Sequence, residues 1–103
     1  MRWTETLHRR PLRRPIDEPT RAAINTEFSR RRHEIPIPTE LHWHRDKPQF
    51  TIRSKWLSFV VHFTPENLVV DAEMSLAAKV LATKENRENA VRFIESIAND
   101  LGL

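Results

Sequence analysis

Between Glu40 and Met74 the chain alternates apolar and polar residues through four consecutive runs, separated by short turn sequences. Leu41 and Trp43 alternate with Glu40, His42 and His44, and Phe50 and Ile52 alternate with Thr51 and Arg53. Leu57, Phe59, Val61 and Phe63 share one parity. Leu68, Val70, Ala72 and Met74 share another, against Val69, Asp71 and Glu73. Successive side chains on a strand point to opposite faces, so this pattern demands a sheet with one buried face. It predicts strands over Glu40–Arg45, Gln49–Ser54, Trp56–Thr64 and Asn67–Met74. Arg45-Asp46-Lys47-Pro48 makes one turn. Thr64-Pro65-Glu66-Asn67 suits a type I turn, with Pro at its second position. Connections this short make neighbouring strands antiparallel, giving a four-stranded meander.

A one-faced sheet must bury that face against another layer. The segment behind Thr83 supplies it: Ala90, Phe93, Ile94, Ile97, Ala98 and Leu101 recur at helical spacing, and Gly102 ends the run. A second helix is predicted from Glu18 to about Arg32, with Asp17 as N-cap and Pro19 in its first turn. Its apolar stripe of Ala23, Ile24 and Phe28 is narrow, so it should be half exposed. His33–Pro38 reads as a linker, because each Pro biases its predecessor to extended geometry. Ser75–Ala82 fits both a continued strand and a short helix, with its composition favouring helix. Residues 1–16 are charged and contain Pro11 and Pro15. They read as a basic arm, extended or disordered, with room for one edge strand around Trp3 to Leu7. The expected architecture is α+β: an N-terminal helix, a four-stranded antiparallel meander, and a C-terminal amphipathic helix packed on one sheet face. Residues 17–103 form the single domain.

Composition excludes more chemistry than it suggests. With no cysteine there is no disulfide framework, thiol nucleophile or Cys-based zinc site. With Gly102 as its one glycine, the chain lacks the Walker, dinucleotide-binding and kinase-loop motifs. No apolar run approaches the roughly 20 residues of a membrane span, and MRWTETLHRR has no apolar signal core. The expected location is therefore cytoplasmic. Ser54, Ser58, Thr64 and Ser75 lie in no nucleophile elbow. Glu66, Asp71 and Glu73 read as exposed turn and strand acids rather than paired catalytic carboxylates. No catalytic residue and no cofactor follow from the pattern, so the chain reads as non-enzymatic.

Two clusters carry candidate binding chemistry. Residues 1–33 hold nine Arg and no Lys against four acids, while residues 49–103 hold six basic residues against seven acids. Arg9, Arg10, Arg13, Arg14, Arg30, Arg31 and Arg32 are thus a candidate basic patch for phosphate contacts, set against the plainer reading of a solvated arm. His42 and His44 share parity with Glu40 and Asp46, and His62 on another strand could join them around a metal. The plainer reading is a solvated outer face, since zinc needs three or four groups converging at about 2.0–2.2 Å. Trp43, Trp56, Phe50 and Phe59 suggest a base-stacking sheet. All but Trp56, however, share parity with the aliphatic core residues.

The order of features from Phe50 onward resembles the small bacterial proteins of the polyhydroxyalkanoic acid system family. Phe50-Thr51-Ile52-Arg53-Ser54 matches an aromatic-x-Arg-Ser strand. Phe59–Thr64 and Leu68–Met74 match a hairpin, Ser75–Leu81 a Leu-rich segment, and Glu85–Leu101 the closing helix. The resemblance implies an accessory protein without catalytic residues that acts through protein or polyester-granule surface contacts. A nucleic-acid-binding module using the N-terminal arginines is the alternative, and a small apolar-ligand carrier the third. The expected state is a monomer or homodimer.

Overall fold

The computed structural model describes residues 2–35, 39–54, 57–75 and 84–103. Its elements run β1 (Arg2–Pro11), α1 (Glu18–Arg31), β2 (Glu40–Trp43), β3 (Gln49–Arg53), β4 (Leu57–Phe63), β5 (Asn67–Ser75) and α2 (Lys84–Asp100). The strands form one sheet in the order β1-β5-β4-β3-β2, with every neighbouring pair antiparallel. The predicted meander is present as β2 to β5. Two expectations are corrected: the sheet has five strands rather than four, and a strand, not a helix, comes first. The extra strand lies in the segment read as a basic arm, where it pairs along β5 from Arg2↔Ser75 to Pro11↔Asn67. It escaped the period-2 pattern because the register shifts between Thr6 and His8, leaving Leu7 as a bulge. Glu5 before the bulge and His8 and Arg10 after it then fall on the same sheet face, despite opposite parity in the sequence.

Both helices cover one face. Ile24 and Phe28 of α1 and Ile94 and Ala98 of α2 join Phe50, Ile52, Val61, Phe63, Leu68 and Val70 in one buried cluster. Phe28 meets Phe93 edge-on at 6.1 Å, which ties the helices together. Trp43 packs tilted on Phe50 at 4.9 Å and stacks on Phe63 at 6.2 Å. Its indole N–H donates to Asn25 Oδ1 at 2.7 Å, and the Arg21 guanidinium lies 5.1 Å above its ring. A smaller cluster of Ala72, Met74, Leu7, Leu57 and Phe59 continues the apolar layer.

The helix ends follow their local chemistry. Asp17 caps α1, accepting from the Thr20 N–H at 2.9 Å and the Thr20 hydroxyl at 2.6 Å. These donors hold the Asp17 carboxyl below its ordinary pKa. Helix α2 ends in a Schellman turn. Gly102 sits at φ +68°, its N–H reaches Asn99 O, and Leu103 N–H reaches Ala98 O. That turn drives Leu103 into the core at 2% exposure. The expected cap at Thr83, the strand-or-helix segment up to Ala82, the Pro36–Pro38 part of the linker and Trp56 lie outside the described residues.

Candidate functional site

The alternation that buries one sheet face turns a second set of side chains away from both helices. In register across the strands lie His42, Thr51, Val60, Asp71 and Thr6, and beside them Gln49, His62, Val69 and Arg9. None of these residues joins the clusters packed under α1 and α2. Among the described residues no helix covers this face. Val69 is half-buried near its middle, while Val60 is only 4% exposed, flanked in register by Thr51 and Asp71.

A hydrogen-bonded row crosses four strands of this face. The Thr6 hydroxyl on β1 donates to Asp71 Oδ1 on β5 at 2.7 Å. Asp71 Oδ2 lies 3.0 Å from His62 Nε2 on β4, and His62 Nδ1 lies 3.0 Å from Gln49 Oε1 on β3. Both ring nitrogens of His62 are therefore occupied. The row fixes the side chains of the face. It was missed in the sequence because its bonded members lie on different strands, Gln49 and His62 13 residues apart and Thr6 and Asp71 65 residues apart. Only the strand register brings them together, and their shared signal was no more than polar parity.

The seven candidate arginines do not form one patch. Arg10, on the helix side of β1, donates to Glu95 Oε2 at 2.6 Å, Asn99 Oδ1 at 3.0 Å and Leu103 O at 3.0 Å. Arg31 is bound by Glu27, Ser96 and Asp100. Arg30 grips Glu27 through two donors at 3.3 and 2.7 Å. This contact lowers the Glu27 pKa and raises that of Arg30. Arg9, Arg13, Arg14 and Arg32 are exposed. Arg9 lies on the sheet face that no described helix covers, Arg13 and Arg14 occupy the loop into α1, and Arg32 follows the far end of that helix.

The histidines are separated as well. Strand β2 stops at Trp43, so His44 lies in the turn, where its Nδ1 accepts the N–H groups of Asp46 and Lys47 at 3.0 Å. His42 faces Glu40 at 3.1 Å, and His62 is tied into the polar row on β4. Among the described residues no three His, Asp or Glu side chains converge as a metal set. The apolar layer between sheet and helices holds a void of about 10 Å³, against roughly 300 Å³ or more for a small-molecule pocket. No described helix is long and apolar enough to cross a membrane. Comparison with protein-family models, curated proteins and solved structures finds no match.

Proposed function

We propose that this chain is a cytoplasmic, non-enzymatic binding module whose working surface is the sheet face that no described helix covers. The observation that carries the reading is the polar row Gln49–His62–Asp71–Thr6, which orders side chains on a face that no described helix covers. Ordering four side chains costs conformational entropy, and a face so ordered in advance loses less on binding. Val69 and Thr51, half-buried beside the row, supply apolar contact within a polar rim. The resemblance to the polyhydroxyalkanoic acid system family makes a protein or granule surface the partner class. The test is co-sedimentation with bare polyhydroxyalkanoate particles, comparing the native chain with Val69→Glu. The native chain should sediment and the variant remain in the supernatant, with unchanged far-UV circular dichroism. A native chain that stays in solution ends the granule reading. A variant that still sediments moves the contact off this face.

The exposed Arg9, Arg13, Arg14 and Arg32 favour a second reading, in which a nucleic-acid backbone is the ligand. Replacing Arg13 and Arg14 would then flatten the plot of log affinity against log salt by about one unit per lost phosphate contact. No affinity at low salt ends that reading.

A further inference from the structure

Strand β1 is attached differently from the other strands. The helix-facing residues of β5 are Leu68, Val70, Ala72 and Met74, all 3% exposed or less. Their register partners on β1 include Arg10, His8 and Glu5. Each of these three meets a polar group of α2 instead of an apolar layer. Glu5 pairs with Arg87 at 2.9 Å, His8 with Glu95 at 2.5 Å, and Arg10 with Glu95 at 2.6 Å and Asn99 at 3.0 Å. Arg87, Glu95 and Asn99 recur at multiples of four along α2, so one stripe of the helix faces the strand. Val91 is the apolar member of that stripe. It and Leu7 line a cleft of about 430 Å³ between β1 and the first half of α2. Among the described side chains, the strand is thus held by its ladder to β5, by this row of polar contacts to α2, and by Leu7, which packs against Ala72 and Met74. Beyond Pro11 the attachment changes: Leu12 and Ile16 pack on the main core, and Leu12 N–H bonds Glu66 O at 2.9 Å.

We propose that β1, from Arg2 to Pro11, is a releasable strap. It opens as a unit from β5 and α2 while the four-stranded meander stays folded, and Leu12 is the fixed end of the hinge. Ion pairs bring charged residues to the helix side of this strand, and salt screens them, with a Debye length near 10 Å at 0.1 M and about 3 Å at 1 M. Apolar burial, which holds β3 to β5, is not weakened in this way. Opening would bare the ladder edge of β5, a row of unpaired backbone groups able to accept another extended strand. It would also remove Thr6 and Arg9 from the sheet face that no described helix covers.

The test is native-state amide hydrogen exchange on the full chain at low salt and at about 1 M NaCl, with Glu95→Gln as the variant. The informative amides are those of β5 that donate to β1, compared with those in the β3–β4 ladder. The proposal expects the first set to exchange at least about tenfold faster than the second at low salt. Added salt and Glu95→Gln should each accelerate the first set several-fold and leave the second unchanged. Equal exchange in both sets would mean that β1 opens only with the whole fold, which overturns the strap. Faster exchange that ignores both salt and the variant would be ordinary edge fraying, and overturns it too.

Discussion

Leu68 and Val69 are neighbours in the chain and point to opposite faces of β5, so truncating each measures which face the fold buries. Leu68 is 1% exposed and borders the void of about 10 Å³, so its removal leaves space that nothing fills. Leu68→Ala deletes three buried carbons, at about 0.8 kcal/mol each. The residual cavity adds roughly 24 cal/mol per Å³, so a cavity on the order of 60 Å³ brings the total to about 4 kcal/mol. A domain of this size has a stability of about 5–15 kcal/mol and loses roughly 4–8 °C in Tm per kcal/mol. Leu68→Ala should therefore lower Tm by about 15–30 °C. Val69→Ala removes two carbons from a half-buried site beside His62 and Arg9, and should cost under about 1 kcal/mol. Urea unfolding followed by tryptophan fluorescence and circular dichroism reads both, with m expected to stay constant. If Val69→Ala costs as much as Leu68→Ala, the face assigned as uncovered is buried, and the proposed binding surface fails with it.

Acid should destabilise the protein through Asp17 and Glu27. Both have folded pKa values depressed below the ordinary carboxylate range, Asp17 by its Thr20 donors and Glu27 chiefly by Arg30. Their stabilisation is complete above the unfolded carboxylate pKa and disappears as pH falls through the depressed folded values. A Tm profile from pH 6 to pH 2 should fall toward acid, with a shallower fall in Asp17→Asn and Glu27→Gln. Gly102→Ala should cost about 1–2 kcal/mol through its backbone alone, since φ is +68° and no atom lies within 4 Å of an added Cβ. A loss below about 0.3 kcal/mol in urea unfolding would mean that the Schellman turn rearranges freely. Zinc in tenfold excess should leave Tm unchanged, because His42, His44 and His62 point to separate partners. A saturable rise in Tm by calorimetry would show that they gather around the ion.

Features governed by neighbouring residues were legible in the sequence. Asp17 with Thr20, the Pro65 turn, the alternation from Leu41 to Met74 and the α2 stripe ending at Gly102 each lie within a few residues, where backbone geometry couples them. The arginine cluster was legible as composition but not as a site. Its members divide between α2 acids, Glu27 and solvent, according to elements far apart in the chain. The three histidines were grouped by parity, yet β2 ends before His44 and the intervening β3 separates β2 from β4.

By itself, then, the sequence determined the one-faced meander, its C-terminal helical cover and the presence of a first helix, because a period of two and a period of 3.6 each fix which side chains share a face. The sequence left room for an edge strand from Trp3 to Leu7, and tertiary structure decided that the strand runs from Arg2 to Pro11 and joins the sheet beside β5. The pattern of these residues is broken by the Leu7 bulge, and their helix-side charges meet Arg87, Glu95 and Asn99 on α2 and the Leu103 carbonyl, more than 80 residues away. Tertiary structure alone assembled the row from Thr6 to Gln49. Such long-range pairings depend on strand register, which is set by burying the opposite face rather than by any affinity between the polar residues themselves.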